Sequence, residues 1–155
     1  MPVRYDVFKM QDGDLGNNEE NMPIRVLLAD DSDIVRQAII RLLETEPAIE
    51  IVAVAINFEQ TIQMTDHLKP QIVVMDLHMP DETRFKLSDV RVHLQTCRSK
   101  LIVISVWTDE ESVALAASMG AVKLLDKSNL ASELVPAIIK LALPIEEPVR
   151  QIEPA

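Results

Sequence analysis

Ile72-Val73-Val74-Met75-Asp76-Leu77-His78-Met79-Pro80 is the stretch on which the fold turns. Four apolar residues in succession, two of them valines, read as a strand buried on both faces, since a half-wet strand would alternate. The run ends on the carboxylate of Asp76, a group that is costly to bury without partners. Pro80 closes off any continuation of the strand. In open α/β folds, a polar group at the carboxyl end of a central strand lies where ligands bind.

Working outward, the same pattern recurs. Ile24–Ala29 is apolar apart from Arg25 and ends at Asp30-Asp31. Ser32 suits a helix N-cap and Asp33 suits the positive end of the helix dipole. Ile34, Val35, Ala38, Leu42 and Leu43 then recur at helical spacing to about Thr45, before Pro47. Glu50–Ile56 reads as a second strand and Phe58–Leu68 as a second helix, with Pro70 turning the chain into the central strand. Phe85 to about Thr96 has untidy helical spacing. Leu101–Ser105 is a strand, Glu110–Met119 an Ala-rich helix, and Gly120 is placed as its left-handed C-terminal residue. Ala121–Leu125 is a short strand ending at Asp126-Lys127, and Ser128 or Asn129 can cap a last helix over Leu130–Leu141. Five strands alternating with five helices predict an α/β fold, with a doubly wound parallel sheet and helices on both faces.

The chain of 155 residues is 48% hydrophobic, enough for one domain with a core. Residues 1–22 are acidic and rich in Gly and Asn, and are expected to form a flexible extension; 23–142 is the domain and 143–155 a polar tail. No apolar run approaches the ~20 residues of a membrane span. The single Cys97 allows no internal disulfide, which suits the cytoplasm, and it has no neighbour in sequence that would activate it. The net charge of −10 argues against direct nucleic-acid binding. No Gly-rich phosphate loop follows any strand.

The topology places the ends of strands one, three, four and five on one edge: Asp30/Asp31, Asp76, Ser105 and Lys127. Singly, each has an ordinary explanation as a cap, a turn residue or a surface lysine; together they make one device. Three close carboxylates cannot all stay ionised without a cation, and oxygen ligands with room for water suit Mg²⁺. Asp76 can then act as a nucleophile on phosphorus, giving an acyl phosphate. The Lys127 ammonium and the Ser105 hydroxyl would meet the phosphoryl oxygens.

With these motifs in place, Leu28-Ala29-Asp30-Asp31, Met75-Asp76-Leu77-His78-Met79-Pro80, Val103-Ile104-Ser105 and Leu124-Leu125-Asp126-Lys127, the chain from about Ile24 to Leu141 resembles a receiver domain of a two-component response regulator. The resemblance implies a flavodoxin-like strand order 2-1-3-4-5. It makes Asp76 the phosphoacceptor, with a sensor histidine kinase or histidine phosphotransfer protein as donor. It also makes Asp31 and Asp76 direct Mg²⁺ ligands, Asp30 a ligand through water, and the His78 backbone carbonyl the remaining protein ligand. Ser105 and Lys127 would sense the phosphoryl group. Three positions depart from the family pattern: Arg84 stands where a glycine is usual, Leu124 where a switch aromatic is usual, and Ser128 where proline commonly follows the lysine. His78 and Trp107 flank the site and are expected to shield the acyl phosphate from water.

The leading expectation is a stand-alone phosphorylatable switch that works by protein contact, carrying no enzymatic activity beyond phosphotransfer to itself and its own dephosphorylation. Homodimerisation through the last helices stays open. Three alternatives remain: the receiver half of a helix-turn-helix transcriptional regulator, with residues 144–155 beginning a linker; a degenerate receiver that docks without phosphorylation; and a phosphohydrolase with an aspartate nucleophile. The last would need a second acid two residues beyond the nucleophile, where His78 stands.

Overall fold

The computed structural model describes residues 22–143. The N-terminal extension up to residue 21 and the tail from residue 144 lie outside the described residues. In chain order the elements are β1 (Ile24–Ala29), α1 (Asp33–Glu44), β2 (Ile49–Ala55), α2 (Phe58–Leu68), β3 (Ile72–Asp76), α3 (Leu87–Thr96), β4 (Lys100–Ser105), α4 (Glu110–Ser118), β5 (Ala121–Asp126) and α5 (Leu130–Ala142). The strands pair in parallel in the order β2-β1-β3-β4-β5, as the receiver resemblance implies.

The period of two along each strand divides the core between the two sheet faces. Val26, Leu28, Ile72, Val74, Ile102 and Ile104 point to the side covered by α1 and α5, where they meet Ile39, Leu43, Leu134 and Ile138. Leu27, Ala29, Val73, Met75, Leu101 and Val103 point to the side covered by α2, α3 and α4, where they meet Phe58, Val90, Leu94, Ala116 and Met119. All five residues of β3 are buried. This is why the central strand reads as an unbroken apolar run; each such side chain contributes roughly 1.5–3 kcal/mol of burial.

Local signals fix the element ends. The Ser32 hydroxyl accepts from the Val35 N–H at 3.3 Å and opens α1. Gly120 adopts φ +82° after α4, and a Cβ there would come within 3.0 Å of Arg91 Cγ. The last helix starts at Leu130 with Asn129 in the N-cap position, but the Asn129 side chain makes no cap hydrogen bond. A 3-10 turn over Lys127–Asn129 leads into it, capped by Asp126, which accepts from the Ser128 N–H at 2.9 Å and hydroxyl at 2.7 Å. The third helix starts at Leu87 rather than Phe85, because Glu82–Arg84 takes a 3-10 turn first. Phe85 instead lies edge-on to Phe58, with ring centroids 6.2 Å apart at 71°. Arg84 is not among the described residues with positive φ, so the loop follows a path that does not require glycine.

Candidate functional site

Parallel strands all end on the same edge, so the sheet itself assembles the polar cluster. Asp30 and Asp31 directly follow β1, Asp76 ends β3, Ser105 ends β4, and Lys127 follows the last residue of β5. Asp76 is in register with Ile104, and Ser105 with Asp126. A carboxylate oxygen from each of Asp30, Asp31 and Asp76 lies within 4.8 Å of the other two. Asp30 and Asp76 are buried while Asp31 is exposed, so the cluster is open to water on one side.

Lys127 reaches into this cluster. Its Nζ lies 2.9 Å from Asp30 Oδ2 and 3.1 Å from Asp76 Oδ2, and its side chain is only 16% exposed. Asp30 is held by its neighbours: Oδ1 accepts from the Ser32 N–H at 2.8 Å, and Arg36 donates to the Asp30 carbonyl at 2.8 Å while pairing with Asp33 at 3.0 Å. Asp30 Oδ2 has no well-aligned donor, so its contact with Lys127 is an ion pair rather than a directed hydrogen bond.

The charges shift accordingly. Burial, then repulsion from Asp30, push the Asp76 carboxyl above its ordinary value, and Lys127 pulls only part of the way back. Burial alone would lower the Lys127 ammonium, but its contacts with Asp30 and Asp76 outweigh that and raise it. The site therefore combines a lysine held charged with a carboxylate whose ionisation is disfavoured, the condition a further cation would relieve.

Ser105 is buried at the same edge, and its Oγ accepts from the Trp107 N–H at 3.0 Å, which leaves the hydroxyl proton available to donate. The His78 side chain stands at the rim, about half exposed, with Nδ1 2.9 Å from Glu82 Oε2. Trp107 is exposed, and together with His78, Asp109, Glu111, Ser112 and Leu115 it lines a cleft of ≈ 360 Å³ between the loops after β3 and β4 and the start of α4. Sequence spacing had suggested neither the His78–Glu82 pair nor the Arg36 tie to Asp30. It also missed Asp81, whose carboxylate reaches the start of α2, 22 and 23 residues back along the chain. Leu124, in the place of the usual aromatic, is half-buried against the core. Among the described residues there is no cis peptide, so the bond after Lys127 is trans.

A model of the response regulator receiver domain family matches residues 26–139, and the chain belongs to that family. It is 35% identical over 112 residues to protein-glutamate methylesterase/protein-glutamine glutaminase 2 of Anaeromyxobacter dehalogenans, covering 72% of this chain and 32% of that protein. It is 31% identical over 119 residues to the transcriptional regulatory protein LiaR of Bacillus subtilis, covering 74% of this chain and 54% of the relative. Among solved structures, the signal receiver domain of NarL from Mycobacterium tuberculosis aligns with a TM-score of 0.70 at 21% identity, covering 78% of this chain and 97% of that one. A LuxR-family two-component response regulator from Aurantimonas aligns with a TM-score of 0.68 at 28% identity, covering 77% and 85%.

One expectation is corrected by these relatives. The expectation of no enzymatic activity beyond phosphotransfer and dephosphorylation meets methylesterase/glutaminase relatives, which are enzymes that carry a similar receiver part. The match spans about a third of their length, so their esterase and glutaminase activities are properties of those longer proteins. Receiver motifs look alike whether or not a catalytic part is joined to them, so those motifs did not justify that expectation.

Proposed function

We propose that the chain is a signalling switch in which Asp76 takes a phosphoryl group from the phosphohistidine of a histidine kinase or histidine phosphotransfer protein. An Asp76 oxygen attacks phosphorus, the P–N bond breaks, the imidazole leaves with its electron pair, and an acyl phosphate remains. The observation that carries this reading is Lys127, a half-buried ammonium within 3.1 Å of both Asp30 and Asp76, beside the end of the central strand. There it can neutralise charge on the incoming phosphoryl oxygens. Ser105, with a free hydroxyl proton at the end of the neighbouring strand, would donate to one of them.

The acidic cluster fits Mg²⁺: three carboxylates converge within 4.8 Å, one of them open to water, and a buried oxygen of Asp30 lacks an aligned donor. Asp31 and Asp76 would bind the ion directly, Asp30 through water, and the His78 carbonyl would complete the protein ligands. When bound, Mg²⁺ would supply Lewis-acid stabilisation of the phosphoryl oxygens. His78 and Trp107, on either side of the edge, would limit the access of water to the acyl phosphate.

Output would pass by protein contact through the face of α4, β5 and α5, which exposes Val113 and Val122. Leu124 leaves no aromatic ring to rotate, so movement of Ser105 toward the phosphoryl group would be the trigger. A kinase donor puts the reaction in the cytoplasm, and no described helix is long and apolar enough to cross a membrane. The match to LiaR favours a second reading, the receiver part of a transcriptional regulator; the full native reading frame decides between the two.

The test is intact-protein mass after incubation with Mg²⁺ and acetyl phosphate. The wild type should gain one phosphoryl group, and neither Asp76→Asn nor a metal-free sample should gain any. A folded wild type that gains none from any donor would leave only a docking role.

A further inference from the structure

We infer that Asp81 is a positioning residue for the metal-binding loop, clamping that loop to the start of α2. This rests on the proposed Mg²⁺ site, in which the His78 carbonyl is a ligand.

The first N–H groups of a helix have no partner within it and need acceptors from outside. In α2 the Asn57 side chain takes the Gln60 N–H at 2.8 Å, as an ordinary N-cap does. The two N–H groups before it go elsewhere. Asp81 Oδ1 accepts from Phe58 N–H at 2.8 Å and Oδ2 from Glu59 N–H at 3.0 Å. Both oxygens of one carboxylate are therefore committed to the positive end of a helix that lies more than twenty residues earlier in the chain. A helix needs only one local cap to start, and Asn57 already provides it. The second cap joins α2 to the loop between β3 and α3.

That loop carries the proposed ligand. Asp81 is three residues beyond His78, and the intervening Met79 is buried, so little slack separates the clamp from the His78 carbonyl. The Glu82 N–H donates to the Met79 carbonyl at 3.1 Å and the Arg84 N–H to the Asp81 carbonyl at 3.0 Å, which tightens the loop around the clamp. At its other end, the loop is tied to the sheet by Leu77 N–H on the Ile104 carbonyl at 3.0 Å. Phe85, edge-on to Phe58, adds an apolar contact to the same first residue of α2. Where the family pattern has a glycine at position 84 to shape this loop, this chain has Arg84; the clamp is what holds the loop in its place. A backbone carbonyl ligand has no rotamer of its own, so its position is set wholly by such supports.

The test compares Mg²⁺ affinity, measured by competition against Mn²⁺ water-proton relaxation, with thermal stability in the full chain. Asp81→Ala should raise the Mg²⁺ dissociation constant about tenfold. Asp81→Asn, which keeps one acceptor oxygen, should fall between it and the wild type, and it carries the comparison if the alanine variant does not fold. Asn57→Ala removes a cap from the same helix end without touching the loop; it should lower Tm yet leave Mg²⁺ affinity within twofold of wild type, by about the scale of one lost cap. If Asp81→Ala lowers Tm like Asn57→Ala and binds Mg²⁺ like the wild type, Asp81 is a helix cap and nothing more. If the wild type itself takes up no metal, the metal-site reading fails and the role of the clamp fails with it.

Discussion

The two ends of the sheet each hold a lysine in a partly buried position, and they use it in opposite ways. At the amino end, Lys100 Nζ donates to the Leu141 carbonyl at 2.7 Å, closing the last turn of α5. Nearby, the Ser99 hydroxyl donates to the Pro70 carbonyl at 2.6 Å and Arg25 to the Lys69 carbonyl at 3.1 Å. Every one of these donors meets a neutral backbone acceptor. At the carboxyl end, Lys127 lies between two carboxylates, with a third beside them and a buried oxygen left without an aligned donor. One end satisfies its polar groups and ties elements together; the other crowds like charges and leaves capacity unused. Such crowding lowers stability, and its concentration at one edge is what makes that edge the candidate site.

The sharpest way to break this contrast is to remove each lysine in turn. Lys127→Ala should reduce phosphoryl uptake from acetyl phosphate by about 100-fold or more, since it removes the charge poised at the developing phosphoryl oxygens. Lys100→Ala should leave uptake unchanged and cost about 1 kcal/mol in denaturant unfolding, the scale of one lost hydrogen bond. Comparable losses of uptake in both variants would show that Lys127 acts through the fold and not at the site.

The amino end gives the next largest effect. Ser99→Ala strands the buried Pro70 carbonyl and should cost about 1–2 kcal/mol without altering uptake. At the carboxyl end, His78→Ala and Trp107→Ala should each shorten the lifetime of the acyl phosphate severalfold, followed by loss of the phosphoryl mass over time, because they stand two residues beyond Asp76 and Ser105 and line one cleft. An unchanged lifetime would remove water exclusion from their roles.

How much of this contrast was legible in the sequence follows from how local each signal is. Strand alternation with helices, the burial of Ile72–Met75 and the edge positions of Asp30, Asp31, Asp76, Ser105 and Lys127 all follow from short periodic patterns and the rule that parallel strands end on one edge. The start of the third helix shifted by two residues where the 3-10 turn Glu82–Arg84 intervened, and β5 ran one residue further, to Asp126, before the 3-10 turn Lys127–Asn129. What stayed hidden were the contacts between side chains and backbone groups far apart in the chain. Asp81 on Phe58 and Glu59, Lys100 on Leu141, and Ser99 on Pro70 carry no spacing signature. Asp81 directly after Met79-Pro80 looks like any turn residue, and only the packing of the loop on α2 shows what its carboxylate holds.

The smallest effect tests whether the charge crowding is a real burden. Burial and Asp30 raise the Asp76 carboxyl above its ordinary 3.8, so between that value and its folded one the native state holds more protons than the unfolded chain. Stability contributed by the protonated form is therefore lost as pH rises through this window, and above it the folded protein carries the full penalty. Lys127 titrates in a different window: its raised ammonium contributes stability in full below its ordinary 10.5 and loses it only as pH rises above that, so it is charged and stabilising throughout the acid-to-neutral range and does not cancel the trend. Asp76→Asn should thus raise Tm by a few degrees at pH 7, on the order of 1 kcal/mol or less, with the gain shrinking as the pH is lowered toward 4. Adding Mg²⁺ should close the gap at neutral pH by stabilising the wild type, because a cation among Asp30, Asp31 and Asp76 offsets the repulsion that the substitution removes. A variant no more stable than the wild type at any pH would mean that Lys127 alone already balances the edge, and the contrast between the two ends would then lie in which acceptors each lysine meets and not in stored repulsion.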